Sequence, residues 1–203
     1  MTSTDISGEA ATARRPGKRE RLVAAACDVM YRQGVAAATL ANVAEAADVP
    51  LGNVYYYFKT KEDLIAAAVQ AHADKLTSGV AALDQRHRTP RARLKALVGV
   101  LAGQRDLIAK YGCPYGTLSS ELSKRAAGSD PLAALLMQIP LDWAEQQFRA
   151  MGRRDSRDLA AELIAAYQGA AALSTSLGQP EVMARLTRRL DKWIDALDTD
   201  ESR

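Results

Sequence analysis

From Lys18 onward the apolar residues of this chain recur three and four positions apart, and only short Gly- and Pro-containing breaks interrupt them. That spacing is the period of an α-helix, and no stretch alternates with the period of two that a half-buried strand needs. The breaks TPR, GCP, GSDP, GRRDS and GQP divide the second part into segments 61–85, 90–111, 114–126, 130–152, 156–177 and 180–198, each predicted to be a helix. Alanine is abundant while β-branched and aromatic residues are scarce, which agrees with helix propensity. The expected fold is therefore all-α. Its 203 residues suit a small domain joined to a larger one, with no internal repeat.

Several function classes are disfavoured by what is missing from the sequence. No run of about 18 apolar residues occurs, and the opening MTSTDISGEAATARR has no apolar centre of a secretory signal, so a cytoplasmic protein without a membrane partner is expected. Cys27 and Cys113 lie far apart with no CxxC spacing, so reduced thiols are expected and neither a metal site nor a cofactor is indicated. His72 and His87 are the only histidines, both read as lying on or just after one exposed helix, and no Ser-His-Asp or phosphate-loop pattern accompanies them. An enzyme is not expected.

The first sixty-five residues read as one unit. Residues 1–17 lack periodicity and are predicted to be a mobile arm. Leu22, Ala25, Ala26, Val29 and Met30 then form one helical stripe, which Gly34 ends because glycine accepts the positive φ of a C-terminal cap. Thr39 precedes a second stripe of Leu40, Val43, Ala44 and Ala47, with its hydroxyl placed to cap the free N–H groups of a short helix. After a turn at Asp48, Val49 and Pro50 comes a third helix from about Leu51 to Tyr57, and Thr60 with Asp63 opens the fourth. Two short helices about a tight turn, braced by a longer one, make a helix-turn-helix over 18–60, whose second short helix enters a DNA major groove.

The run YYYF fits that placement. With Val54 and Phe58 turned inward, Tyr55 and Tyr56 point away from the core, where a phenol hydroxyl can donate to a phosphate oxygen; Tyr57 is intermediate. Lys59 and Lys61 follow, each able to neutralise a phosphate. Leu51, Gly52 and Asn53 are small enough at the helix start for close approach to base edges, and the Asn53 amide can bond a base. Taken alone, the cluster reads as a surface aromatic patch or a local core; the preceding helix pair turns the reading toward DNA. The net charge of +3 is unevenly spread, with roughly +4 between Arg14 and Lys61, which tilts toward a phosphate-bearing partner but is also common on a solvated face.

The stretch TLANVAEAADVPLGNVYYYFKTKEDLIAAAV resembles the signature of the TetR (tetracycline-repressor) family, T-x-x-x-I/V-A-x-x-A-G-V-x-x-G-x-x-Y-x-Y/H-F-x-x-K-x-x-L. Asp48 stands where glycine is usual, and Tyr57 where histidine is common. The resemblance implies that Thr39, Tyr55, Tyr56, Tyr57 and Lys61 contact phosphates and that Leu51, Gly52 and Asn53 lie nearest the bases. It also implies a larger domain, here 61–203, that binds a small-molecule effector and forms a homodimer on a double-stranded DNA operator. A ligand-responsive transcriptional repressor is the expected function.

Within 61–203 the candidate pocket gathers around Pro140, which cannot donate its N–H and is predicted to kink or loosen its helix. Met137, Leu141, Trp143 and Gln147 surround it, and Leu107, Tyr111, Cys113, Tyr115, Leu118, Tyr167 and Gln168 fall on neighbouring predicted helices. Each of these reads either as pocket lining or as ordinary core. The segment KYGCPYGTLSSELSKR resembles a piece found near the effector pocket in one branch of the same family. A small, largely hydrophobic effector with one or two polar atoms suits such a wall. Cys113, close to a helix N-terminus, reads either as a redox- or electrophile-sensing thiol or as a small buried hydrophobe. Gly169 and Leu173, in YQGAAALSTSLG, and the terminal stripe of Val182, Leu186, Leu190, Trp193, Ile194 and Leu197 suggest a two-fold helical interface, the alternative being a terminal helix packed on its own subunit. A protein that binds DNA without any effector remains open at this point.

Overall fold

The computed structural model describes residues 16–126 and 130–197. Most of the arm expected over 1–17 lies outside them. Ten helices follow in order among the described residues, with no strand.

α1 (Lys18–Gln33) buries Leu22, Val23, Ala26, Val29 and Met30 along one face and ends at Gly34, whose φ of 83° is the conformation expected of glycine there. α2 (Leu40–Ala46) begins where Thr39 Oγ1 accepts from Asn42 N at 3.1 Å, and α3 (Leu51–Tyr57) follows a turn in which Asp48 has a φ of 51°. α4 (Lys61–Arg86) opens with a reciprocal cap: Thr60 accepts from Asp63 N, and Asp63 Oδ2 accepts from Thr60 N and Lys59 N. Its 26 residues reach about 39 Å at 1.5 Å per residue, long enough to pack on α1 at one end and on later helices beyond.

The single helix predicted over 90–111 is two: α5 (Pro90–Gly103) and α6 (Arg105–Tyr111). Gly103 is a poor helix former, and at Gln104 the backbone tightens, its N–H bonding Leu101 O at 3.3 Å before α6 restarts. α7 (Pro114–Arg125), α8 (Pro131–Ala150), α9 (Ser156–Leu177) and α10 (Pro180–Ala196) fall close to their predicted limits. α8 runs on through Pro140 as one helix.

Three apolar clusters hold these helices together. The first joins the buried faces of α1–α4, including Val43, Val54, Phe58 and Leu64, and continues into Leu118 and Leu122 of α7 and Leu136 of α8. The N-terminal helices are therefore not packed apart from the rest. The second cluster is built by α4, α5, α8, α9 and α10, and the third gathers Ile108, Cys113, Tyr167, Ala171 and Met183.

The terminal stripe is covered within the chain. Leu190 and Ile194 are buried in the second cluster and Met183 in the third, while Leu186, Trp193 and Leu197 pack against them, Trp193 meeting the Phe148 ring at 5.8 Å. Leu186, Leu190 and Trp193, expected at a partner subunit, pack on α5, α8 and α9 within the chain, and Leu186 and Trp193 remain half-buried. His72 is corrected: it is half-buried, with its ring edge-on to Tyr115 at 5.4 Å, and burial followed by Lys75 lowers its pKa. No helix among the described residues is long and apolar enough to cross a membrane.

Candidate functional site

α3 is only seven residues long, and its sequence divides it sharply. Val54 is fully buried and Phe58, its C-cap, is 3% exposed, so these two anchor the helix in the first cluster beside α2, and Arg19 of α1 lies over the Phe58 ring at 5.4 Å. Everything else large points away: Tyr56 is 77% exposed, Tyr55 48% and Leu51 43%, with Tyr57 less so. The Tyr56 and Tyr57 rings meet edge to face at 5.0 Å. Gly52 is exposed with open space where a Cβ would stand, and Asn53 is half-buried. Lys59 Nζ donates to Tyr55 O of α3 at 2.7 Å, and Lys61 Nζ donates to Ala36 O in the loop before α2 at 2.9 Å.

The turn before α3 is held from outside. Arg21 of α1 donates to Ala47 O at 3.1 Å, and its guanidinium lies 3.8 Å from the Asp48 carboxylate. Asn42 Nδ2 donates to Ala37 O at 2.9 Å and fixes the loop that leads into α2. Neither role was legible in the sequence, because each bond joins a side chain to a backbone oxygen whose position depends on the fold.

A second feature is a cavity of about 410 Å³ at the meeting of α6, α7 and α9. Of the residues predicted to line a pocket, Tyr111, Cys113 and Gln168 are in its wall. Tyr167 is buried behind them, and burial first and Cys113 second push its phenol far above the ordinary range. Cys113 Sγ accepts from Gly116 N at 3.4 Å and from Gln168 Nε2 at 3.5 Å, and the residue is 3% exposed. A Cβ at Gly116 would meet the amide end of the Gln168 side chain, which would have to move.

The remaining candidates are dispersed. Leu118 faces the first cluster, Tyr115 meets His72 edge-on, and Met137 lies outside the wall with its Sδ 3.5 Å from Gln168 Nε2. Leu141 lines a separate cleft with Asp142 and Arg157. Trp143 donates to the Asp84 carboxylate at 3.1 Å, and Gln147 accepts from Arg93 at 3.3 Å, both far down α4 and α5 from the cavity. Leu107 is exposed. Thr117, Ser120, Glu121 and Lys124 of α7, together with Thr175, also line the cavity and were not singled out from sequence. Their i, i+3, i+4 and i+7 spacing on α7 is a usable signal, hidden because the face is polar and apolar spacing was the guide.

On α9 the face turned away from the chain carries Gly169, Leu173 and Leu177, the two leucines being 56% and 58% exposed.

An exposed, aromatic second helix braced by α1 and α2 defines a helix-turn-helix DNA-binding protein. The comparisons with known proteins agree. The family described as bacterial regulatory proteins, tetR family, matches residues 22–68. The HTH-type transcriptional repressor DhaR of Mycobacterium sp. (strain GP1) is 31% identical over 167 residues, covering 75% of this chain and 79% of that protein. The HTH-type transcriptional regulator BetI of Rhizobium meliloti (strain 1021) is 35% identical over 85 residues, and the match spans 42% of that protein's length. The crystal structure of a TetR transcriptional regulator from Legionella pneumophila superimposes with a TM-score of 0.77 at 18% identity, over 89% of this chain and 98% of that one. This chain belongs to the TetR family of transcriptional regulators.

Proposed function

We propose that the protein is a homodimeric repressor of transcription that binds a palindromic operator through α3 and releases it when a small molecule occupies the larger helical part. The observation that carries this reading is the division of α3, with Val54 and Phe58 buried while Tyr55 and Tyr56 stand out in solvent. Two large aromatics left exposed beside two buried anchors mark a surface that a partner covers, and a sugar-phosphate backbone suits phenols flanked by ammonium groups. In this reading 18–60 is the DNA-binding domain and 61–203 the effector-binding and dimerisation domain. Leu51, Gly52 and Asn53 lie nearest the bases. Tyr55, Tyr56, Tyr57 and the Thr39 hydroxyl contact phosphates, and Lys59 and Lys61 exchange their backbone acceptors for phosphate oxygens. Two copies then present recognition helices about 34 to 36 Å apart, one turn of DNA.

The homodimer uses the outward face of α9, with Gly169, Leu173 and Leu177, because these apolar residues have no cover within the chain. The effector occupies the cavity beside Tyr111, Cys113 and Gln168, and its occupation shifts α4, whose first residue, Lys61, touches the loop before α2. Such a ligand acts only by binding the released conformation more tightly. The wall is more polar than the hydrophobic effector foreseen from sequence requires, so the ligand carries polar groups. Burial of the Cys113 thiol, 3% exposed, disfavours a redox sensor, which needs an accessible thiolate.

Fluorescence anisotropy against the DNA upstream of the protein's own gene, with a scrambled duplex and a fixed salt concentration, tests the reading. Specific binding that falls about tenfold or more in Tyr56→Ala is expected, hydrogen bonds to charged groups being worth ~1.5–3 kcal/mol. Equal binding to both duplexes by the wild type and the variant would sink it.

A further inference from the structure

The end of α1 is fastened to the larger helical part at two points, and both border the same cavity. Tyr31 Oη donates to Gly112 O at 3.1 Å, just past α6, and to Leu107 O at 3.2 Å within it. Glu121 of α7 accepts from Val35 N through Oε2 at 2.8 Å, immediately after the helix ends. Gly112 and Glu121 both line the cavity, and Glu121 is the only carboxylate among the described residues of its wall. The fit at this corner is close: a Cβ on Gly34 would stand 3.3 Å from Glu121 Oε2 and 3.5 Å from Oε1.

Beyond the corner the chain runs directly into the second helix of the helix-turn-helix. Val35 is 1% exposed, Ala36 O is held by Lys61, Ala37 O by Asn42, and Thr39 then caps α2. A carboxylate on a buried backbone N–H is a charge-assisted bond, and losing it leaves a buried donor that must find another partner or move to water. Only Oε2 of Glu121 is engaged; Oε1 has no hydrogen-bond or ion-pair partner among the described residues. The carboxylate is thus shared between the cavity and the corner.

We propose that Glu121 is the positioning residue through which an occupied cavity acts on the helix-turn-helix, and that the cavity takes a small ligand with a cationic head. The head draws the carboxylate toward the cavity, Val35 N–H loses its acceptor, and the loop carrying α2 is released. Lys124 is the only cation among the described residues of the wall, but it is exposed and has no bond to α1, so an anionic ligand held there lacks this route. The proposal rests on the ligand-responsive reading above and supplies its ligand class and its coupling.

The test is residue-resolved amide hydrogen exchange at Val35 in the free full-length protein, with benzylammonium, benzyl alcohol and benzoate as matched probes at one pH and ionic strength. Benzylammonium is expected to speed exchange at Val35 about tenfold or more while Leu22 in the core of α1 is unchanged, as local opening requires. Benzyl alcohol and benzoate should do neither. Glu121→Gln keeps an acceptor for Val35 N–H but not the charge, so it should fold and lose the response to benzylammonium. Tyr31→Phe removes the other fastening and should keep the selectivity for the cation. No response at Val35 to benzylammonium, an equal response to benzoate, or a wild-type response in Glu121→Gln overturns the proposal. Because Val35 is read without DNA, coupled exchange in a protein that does not bind its operator would sink the repressor reading alone. Operator binding with an inert Val35 would sink only the Glu121 proposal.

Discussion

α3 and α10 both concentrate large apolar side chains, yet the molecule treats them in opposite ways. In α3 the core needs only Val54 and Phe58, and the rings of Tyr55 and Tyr56 are left in solvent. In α10 the stripe is wanted by the chain itself: Met183, Leu190 and Ile194 are buried, and Leu186 and Trp193 lie against the same clusters. An apolar pattern therefore says that a cover exists, not which surface supplies it. For α10 the cover is the chain's own α5, α8 and α9, whereas α3 and the outward face of α9 have none.

The largest effect expected from this contrast is on stability. Ile194→Ala should cost about 2–5 kcal/mol in denaturant unfolding, through the lost transfer energy and the cavity left behind. Tyr56→Ala should stay within about 0.5 kcal/mol, because its ring is mostly in water already. Similar losses at the two positions would mean that α3 is packed more tightly than its exposure indicates.

A smaller effect, read as assembly, separates α9 from α10. Leu173→Asp should leave the thermal transition of the subunit largely in place and shift sedimentation toward a monomer, because the leucine is exposed in the single chain. Leu186→Asp should destabilise the fold instead, since it inserts a charge against the second and third clusters. If Leu173→Asp remains dimeric, the homodimer uses another face.

The smallest effect is a pH dependence that sharpens the view of α4. Burial, followed by Lys75, holds the His72 pKa below its ordinary value, so the folded state resists taking up the proton that the unfolded chain accepts. The stability this represents is present above the unfolded histidine range near pH 6.5 and is lost as pH falls from there toward the lowered folded value. Unfolding free energy measured between pH 7.5 and 5.5 should decline more in the wild type than in His72→Gln. Equal slopes would place the titration elsewhere.

The contrast also marks what could be read before any fold was known. The helix-turn-helix was legible because its signals are local: Gly34 and Asp48 take positive φ, Thr39 and Thr60 cap the helices that follow them, and Val54 and Phe58 fall one turn apart. The break at Gln104 was missed because Gly103 differs little from Gly99, which lies inside α5. Of the candidates that the sequence left as lining or core, Tyr111, Cys113 and Gln168 line the cavity, whereas Trp143 and Gln147 do not, their partners Asp84 and Arg93 lying more than fifty positions away.

By itself, then, the sequence determined the all-α architecture, the order of its helices and the outward tyrosines, since helical period, caps and turn residues act within a few positions of one another. The tertiary structure decided which apolar stripes are covered, which of the candidate residues share one cavity, and that a carboxylate on α7 caps the corner after α1. Those outcomes depend on which surfaces meet across 86 positions of chain, as Glu121 meets Val35, and no local period encodes that meeting.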